Sequence, residues 1–282
     1  MSKKELTRAE AIERSITREF RFTIWSPFIA AIKRYELIKP GDKVCVCISG
    51  GKDSNLLAEC FKLLARHSDF PFEVKYLVMN PGYNEENLEK IKSNLETMDI
   101  PAKIVETDIF EVANAQDHSP CYLCAKMRRG ALYRLAQDMG CNKIALGHHY
   151  DDVIETILMN ILHAGSYQTM LPKLHSDNFE GMELIRPLYL VREDDIKAWR
   201  DANNLQFIQC ACRFTENVAK PDSGVGSARL ETKKLIQKLK ETNPQVEKNI
   251  FKSSENIVLD KVIGYKDPQG HHSFLDTYDK EK

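Results

Sequence analysis

The hydrophobic residues between positions 5 and 38 recur at the spacing of an amphipathic helix, and one proline, Pro27, interrupts them. A proline fixes φ and removes a backbone donor, so it breaks or begins a helix. We therefore predict two helices here, followed by a turn at residues 39–42. The apolar positions that define the pattern are Ile12, Ile16, Phe20, Ile24, Phe28, Ile32 and Leu37.

From residue 44 onward, short apolar runs alternate with longer segments of helical spacing. This alternation predicts parallel βαβ units, and hence an α/β fold with a doubly wound parallel sheet. Such sheets bind ligands at the carboxyl ends of their strands. The predicted strands are residues 44–48, 72–79, 103–105, 143–146 and 184–190. The predicted helices are residues 56–64, 84–98, 125–139, 152–163 and 193–203.

Beyond residue 213 the character of the chain changes. Residues 222–227 are rich in Gly and Ser, a lysine-rich helical pattern follows, and the polar composition of residues 269–282 is typical of disorder. We therefore predict an N-terminal helical segment at residues 1–40, an α/β domain at residues 41–215, and a helical and flexible tail at residues 216–282.

The composition is that of an ordinary globular protein, with 43% hydrophobic and 29% charged residues. No apolar run approaches the roughly 18 residues of a membrane span, and the amino terminus lacks the apolar stretch of a secretory signal. We therefore expect a cytoplasmic protein with no membrane association, whose eight cysteines lie in a reducing compartment. The net charge of -1 gives no global sign of a polyanionic partner, so nucleic-acid contact would need local basic patches.

A hexapeptide between the first predicted strand and the helix after it has the composition of a phosphate-binding loop. Its residues are Ser49, Gly50, Gly51, Lys52, Asp53 and Ser54. Glycines let a phosphate approach backbone N–H groups at a helix start, while the lysine supplies a positive charge and the serines supply hydroxyl donors. The aspartate could orient the loop or a magnesium ion. The spacings of a Walker A loop and of a dinucleotide-binding loop are both absent.

A second motif follows the predicted strand at residues 143–146. Gly147 and His148 come directly after that strand, and Asp151 and Asp152 open the next helix. The glycine lets a nucleotide approach, and two adjacent carboxylates suit magnesium. Aspartates also cap helices, which would explain one of the two acids but not the Gly-His-His sequence before them.

The cysteines separate into two groups. Cys121 and Cys124 have the C-x-x-C spacing of a metal site, and Cys210 and Cys212 form a later pair. Three thiolates could hold three corners of a 4Fe-4S cluster and leave one iron open, whereas four would make a closed zinc site. The remaining cysteines fit other positions: Cys45, Cys47 and Cys60 lie in apolar patterns of the core, and Cys141 lies at a predicted turn.

Taken together, these motifs resemble those of one family. The hexapeptide is similar to the PP-loop of the ATP pyrophosphatases, which cleave ATP between the α and β phosphates and transfer AMP to an oxygen. With four further segments, it resembles the TtcA branch of the TtcA/TtuA family of tRNA 2-thiolation enzymes, in register from about the first strand to Arg213. Those segments are residues 120–130, 143–152, 170–173 and 185–188.

The resemblance implies a fold like that of the adenine nucleotide alpha hydrolases, with ATP, Mg²⁺ and a 4Fe-4S cluster as cofactors. In the implied mechanism, Lys52 and the loop bind pyrophosphate while the carbonyl oxygen of a tRNA base attacks the α-phosphate. Sulfide then replaces the adenylated oxygen. Asp152 and Arg128, with Lys126 beside it, would assist, and the preferred target would be cytidine at tRNA position 32.

The resemblance also implies a set of cluster ligands and partners. Cys121, Cys124 and Cys210 would hold the cluster, and its open iron would bind hydrosulfide. Related enzymes have C-x-x-C where this chain has C-x-C, so Cys212 stays an alternative to Cys210, and as a fourth ligand it would close the cluster. The implied partners are tRNA and a sulfur donor, either a cysteine desulfurase or hydrosulfide, and the implied assembly is a homodimer.

Two basic segments are candidates for contact with tRNA phosphates. Their residues are Arg14, Arg18, Arg21, Lys233, Lys234, Lys238 and Lys240. Two alternatives remain open from the sequence. A PP-loop enzyme that adenylates a small molecule would cleave ATP without tRNA, and a zinc-stabilised nucleotide-binding protein would release no pyrophosphate.

Overall fold

A computed structural model describes residues 5–114, 120–208 and 224–279 of the chain. It divides into two compact units. The first contains Met1–Val153 and Met170–Gly224, and the second contains Ile154–Thr169 and Val225–Lys282. The three-part division of the sequence stays a prediction.

The first unit is built on a six-stranded sheet whose strands are all parallel except β5, which runs antiparallel to β6. The strand order is β3-β2-β1-β4-β6-β5. The predicted α/β class is thus confirmed. The strands are β1 (Lys43–Ile48), β2 (Glu73–Asn80), β3 (Ala102–Glu106), β4 (Lys143–Ala145), β5 (Lys173–His175) and β6 (Glu183–Ile185).

The centre of the sheet determines where a ligand can bind. Strand β1 is buried from Val44 to Ile48, as expected for a central strand with both faces covered. From β1 the chain builds the sheet outward through β2 to β3, and it then returns to the other side of β1 with β4. This reversal is a topological switch point, and it leaves a crevice at the carboxyl ends of β1 and β4.

The helices of the first unit follow the predicted pattern, apart from a π-helical turn and one additional short helix. Helix α1 starts with a capping box formed by Thr7 and Glu10. A π-helical turn, Arg21–Trp25, leads directly into α2, and Pro27 lies in the first turn of α2, where its missing N–H has no helical partner to lose. The helices are α1 (Arg8–Thr17), α2 (Ser26–Arg34), α3 (Lys52–His67), α4 (Glu85–Thr97), α5 (Ile109–Asn114), α6 (Pro120–Asp138), α7 (Tyr150–Ala164, which continues into the second unit) and α8 (Glu193–Ala202).

Two local predictions were incomplete. The strand expected at residues 184–190 is only Glu183–Ile185, because Arg186 and Pro187 turn the chain and the proline cannot donate to a ladder. The short strand β5 and the short helix α5 were not predicted, since neither is long enough to show a period.

The amino ends of the strands, opposite the crevice, contain a buried charge network. Lys143 of β4 pairs with Glu183 on the adjacent strand, and its Nζ lies 3.5 Å from a carboxylate oxygen of Asp42. The Asp42 carboxylate also accepts a hydrogen bond of 2.8 Å from Asn142. All three charged residues are buried, so each charge depends on the others for compensation.

The second unit contains the lysine-rich helix and a hairpin. Its elements after α7 are α9 (Gly224–Thr242), α10 (Val246–Ser253), β7 (Gly264–Asp267), β8 (Gly270–Ser273) and α11 (Leu275–Tyr278). The expectation of disorder from residue 269 was therefore wrong as far as residue 279. Tyr265 stacks on His272 with ring centroids 4.6 Å apart, and His272 lies 2.9 Å from Asp267, so side chains stabilise this short hairpin. None of the helices in the described ranges combines the length and apolarity needed to cross a membrane.

Candidate nucleotide site

The loop after β1 has the backbone of an anion-binding turn. Gly50 has φ of +85°, a conformation that side chains with a Cβ rarely adopt. Helix α3 then begins at Lys52 with Gly51 as its N-cap and no capping side chain. Within the described residues, the N–H groups of Gly51, Lys52 and Asp53 have no acceptor. These donors and the helix dipole can therefore face an anion.

The two serines of the loop hold its shape. The Ser49 N–H donates to Ser54 Oγ at 3.1 Å, and the Ser54 hydroxyl lies 3.0 Å from the carbonyl oxygen of Gly51. The hydroxyls of Ser49 and Ser54 are 3.1 Å apart. The serines thus brace the loop from inside, a role that sequence reasoning did not assign to them.

A cavity of about 310 Å³ lies between the carboxyl ends of β1 and β4, and we call it the loop cavity. Its volume lies within the roughly 300–1,000 Å³ of small-molecule sites. It brings together seven of the predicted site residues: Ser49, Asp53, Ser54, Arg128, Gly147, His148 and Asp152. Sequence reasoning did not assign its other lining residues to the site: Cys47, Ile48, Met79, Tyr83, Leu132 and Leu146.

Gly147 explains how the second motif reaches the loop. A Cβ at this position would lie 3.0 Å from the carbonyl carbon of Asp53 and 3.0 Å from the backbone nitrogen of Ser54. Those neighbours are backbone atoms of the first turn of α3, which cannot rotate away. The absence of a side chain therefore allows the β4 strand end to contact the loop.

His149, which the sequence analysis left without a role, joins the two motifs. Its backbone N–H donates to the Asp152 carboxylate at 3.0 Å, and the Asp152 N–H donates to His149 Nδ1 at 3.4 Å. The other ring nitrogen, Nε2, lies 3.8 Å from a carboxylate oxygen of Asp53. The buried imidazole thus lies between the two aspartates that line the loop cavity.

Asp151 has other contacts. Its carboxylate accepts hydrogen bonds from Arg192 Nη2 at 2.9 Å, from Arg192 Nε at 3.3 Å and from the N–H of Glu193 at 2.7 Å. Asp151 is absent from the lining of the loop cavity. Its direct contact with a nucleotide stays a prediction.

Lys52 is absent from the lining of the loop cavity. Its Nζ is 3.1 Å from the Asp53 carboxylate and 3.3 Å from the Glu193 carboxylate. Lys52, Asp53 and Glu193 line a second, larger cavity of about 860 Å³ with Lys197 and Arg200. Sequence reasoning missed Glu193, because no local motif connects it to the loop.

Only some of the predicted cluster ligands are among the residues that the structure describes. The structure places the backbone of Cys121 and Cys124 in α6, the helix that also carries Arg128 to the loop cavity. Cys210 and Cys212 lie outside the described residues. Their roles as ligands stay predictions.

The cysteines expected in the core, Cys45, Cys47 and Cys60, are buried free thiols, and so is Cys141 of the predicted turn. Cys45, Cys47, Cys60 and Cys141 are all below one tenth exposed. Burial raises the pKa of the Cys60 thiol well above its ordinary value. A thiol of this kind is a poor nucleophile and a poor metal ligand at neutral pH.

A mostly parallel sheet with a braced Ser-Gly-Gly-Lys-Asp-Ser loop at its switch point defines a nucleotide-binding domain of the PP-loop class. The chain belongs to that class, since the PP-loop domain family matches residues 26–214. Among its relatives, proteins named tRNA-cytidine(32) 2-sulfurtransferase are 37% identical over 85% of this chain and 81% of their own in Acaryochloris marina. The identity is 34% over 83% of this chain and 93% of the relative in Geotalea uraniireducens.

The fold has a counterpart among solved structures. The U34-tRNA thiolase NcsA from Methanococcus maripaludis, solved with its 4Fe-4S cluster, superimposes with a TM-score of 0.63. The match covers 82% of this chain and 76% of that one at 23% sequence identity. This likeness supports the fold.

Proposed function

We propose that this protein is an ATP-dependent tRNA 2-thiolation enzyme that converts cytidine at tRNA position 32 to 2-thiocytidine. One observation carries the proposal: the 37% identity to a tRNA-cytidine(32) 2-sulfurtransferase extends over 85% of the chain. A match of that length is too long to leave out the loop or the Cys121–Cys124 pair. The loop cavity supplies the adenylation site that such a reaction needs.

The first step is adenylation of the base. The O2 oxygen of cytidine attacks the α-phosphorus of ATP, the bond to the β-phosphate breaks, and pyrophosphate leaves. Negative charge accumulates on pyrophosphate, so Lys52 and the N–H groups of Gly51 and Asp53 stabilise the transition state more than the ground state. Arg128, which lines the loop cavity, would stabilise charge on the transferred phosphate.

Magnesium fits the carboxylates of the cavity. Asp53 and Asp152 both line it, and His149 lies between them. Carboxylate oxygens are the ligands that Mg²⁺ prefers, and the ion would neutralise phosphate charge there. In the second step, sulfide adds to C2 and the carbon–oxygen bond breaks, so that AMP leaves with the former carbonyl oxygen.

The donor set of the cysteine motifs fits a 4Fe-4S cluster. Cys121, Cys124 and Cys210 would supply three thiolates, the ligand type such clusters take. When bound, the cluster would supply an iron at which hydrosulfide is held for transfer. Hydrosulfide could bind directly, whereas sulfur from a cysteine desulfurase would arrive as a persulfide and would first need two electrons from a thiol reductant. Because Cys121 and Cys124 open the helix that carries Arg128, that helix would connect the sulfur source with the adenylation site.

Contact with tRNA is proposed for the start of the chain. Arg14, Arg18 and Arg21 are exposed, and the neighbouring Phe22 has 80% of its surface exposed. The Arg21 guanidinium lies 5.9 Å from the centre of the Phe22 ring. An exposed aromatic ring beside cations is the combination that stacks on an unpaired base and binds phosphates. In the second unit, Lys234 and Lys238 of α9 are exposed as well.

The test distinguishes the role of the nucleotide-binding loop from that of the proposed cluster ligands. The protein is purified without oxygen, reconstituted with iron and sulfide, and assayed with unmodified tRNA and ATP for iron content, pyrophosphate and 2-thiocytidine. Lys52→Met is expected to retain iron and to lose both products. Cys121→Ala is expected to lose iron and 2-thiocytidine while it still binds ATP, and Cys141→Ala, at a core cysteine, serves as the control.

The outcomes identify the alternatives. Zinc in place of iron with no thionucleoside would refute the thiolation proposal and favour a zinc-stabilised nucleotide-binding protein. ATP cleavage that does not depend on tRNA would indicate a small-molecule acceptor.

A further inference from the structure

The first residue of α8 contacts the loop lysine. Glu193 Oε1 lies 3.3 Å from Lys52 Nζ, while Glu193 Oε2 lies 3.0 Å from Lys197 Nζ. The Glu193 side chain is only 14% exposed and that of Lys52 19%. An ion pair with so little exposure is screened less by solvent than a surface pair.

The position of Glu193 is itself fixed by contacts with the start of α7. Asp151, at the start of α7, accepts a hydrogen bond of 2.7 Å from the backbone N–H of Glu193 and two from the Arg192 guanidinium. The Arg192 guanidinium also lies 4.8 Å from the centre of the Tyr150 ring. The starts of α7 and α8 are therefore tied together, and this tie determines where the Glu193 carboxylate lies.

The lysine gains orientation from this arrangement. A lysine side chain is a flexible stem that ends in a point charge, so ordering it costs conformational entropy. With Asp53 at 3.1 Å and Glu193 at 3.3 Å, the Lys52 ammonium is already confined between two carboxylates. An ordered cation stabilises departing pyrophosphate without reorganising during the reaction.

We propose that Glu193 is a positioning residue for Lys52 and that Asp151 acts through Glu193 rather than on the nucleotide. The inference rests on the proposed function to the extent that Lys52 binds the pyrophosphate part of ATP. It gives the two adjacent aspartates after Gly147 different roles: Asp152 lines the loop cavity, and Asp151 anchors α8.

The neighbouring residue supplies a matched control. Asp194 is on the same helix, has a side chain that is 79% exposed, and pairs with Lys197 at 3.4 Å. Asp194→Asn removes one negative charge from α8 at the position next to Glu193. It leaves the contact with Lys52 intact.

The first measurement is tRNA-dependent release of pyrophosphate from ATP by the reconstituted protein. Glu193→Gln is expected to lower kcat about tenfold and to change KM for ATP by less than about threefold, because an interaction made mainly in the transition state is lost. Glu193→Asp is expected to recover part of the rate, and Asp194→Asn to keep it within about twofold. A lower KM with unchanged kcat would overturn the proposal, since Glu193 would then merely compete with ATP.

The second measurement is calorimetric binding of inorganic pyrophosphate, which needs neither tRNA nor sulfur. Glu193→Gln is expected to weaken binding about tenfold in the wild-type background and to have no effect in Lys52→Met. An equal loss in both backgrounds would show that Glu193 does not act through Lys52. Asp151→Asn should weaken pyrophosphate binding as much as Glu193→Gln does. The double variant should bind pyrophosphate at most about twofold more weakly than the weaker of the two single variants.

The two proposals fail separately. Absence of 2-thiocytidine from a wild-type protein that binds pyrophosphate would refute the proposed function and leave the pyrophosphate test of Glu193 in force. Independent, multiplicative losses from Asp151→Asn and Glu193→Gln would refute the anchoring of Glu193 by Asp151, whatever the acceptor is.

Discussion

Replacement of Gly147 by alanine tests how the two motifs form one site. The added Cβ would lie 3.0 Å from Asp53 C, 3.0 Å from Ser54 N and 3.2 Å from Asp53 O. Ordinary carbon contacts are about 3.5–4.0 Å, so either the loop or the end of β4 must move by roughly half an ångström. Overpacking of this kind costs about 1–3 kcal/mol of stability.

The effect on activity should exceed the effect on stability. The atoms that must move carry the loop N–H groups, and a displacement of about 1 Å at a reacting group can cost roughly a hundredfold in rate. We expect Gly147→Ala to lower kcat/KM for ATP-dependent pyrophosphate release at least about tenfold while the protein stays folded at 25 °C. Kinetics and thermal unfolding are measured on the same preparation.

Gly130→Ala is the matched control. Gly130 lies inside α6, and a Cβ there would meet nothing within 4 Å. Alanine in a helix interior is favoured over glycine by about 0.5–1 kcal/mol, so this variant should be at least as stable as the wild type. Wild-type activity in Gly147→Ala would refute the inference that the β4 strand end and the loop must be in direct contact.

Three further predictions concern the buried charges and the exposed aromatic residue. Burial raises the pKa of Glu59 from 4.5 to about 7, against the attraction of Lys62. A raised carboxyl pKa means that the fold loses stability as pH rises from about 4.5 to about 7, by up to about 3 kcal/mol. Glu59→Gln should therefore raise Tm relative to the wild type at pH 8 and not at pH 4.5; an unchanged difference in Tm between these pH values would contradict this. Lys143→Met leaves the buried carboxylate of Glu183 without its pair and should lower unfolding free energy by about 3–5 kcal/mol in urea titrations, whereas a loss below about 1 kcal/mol would show that the pair is not needed. Phe22→Ala should weaken tRNA binding about tenfold in filter-binding assays at fixed salt without changing ATP binding, and unchanged affinity would remove Phe22 from the proposed RNA surface.

Much of the fold was predictable because its signals are local. The apolar run before Ser49 and the helical spacing after it predict a strand, a loop and a helix, and the same pattern recurs before and after Gly147. The glycines at both strand ends mark places where a ligand or another segment of the chain must lie close to the backbone. The hairpin at residues 264–273 was missed because polar composition alone does not reveal the stacking of Tyr265 on His272.

The sequence alone determined the chemical inventory: a loop with one lysine, two aspartates after Gly147, and cysteines at metal-ligand spacing. Only the tertiary structure decided how these groups meet. It placed Asp152 beside the loop through His149, tied Asp151 to Arg192, and brought Glu193 to Lys52. The physical reason is that sequence spacing records contacts within one helix or strand, whereas the order of the strands and the packing of α8 depend on long-range burial that no local pattern encodes.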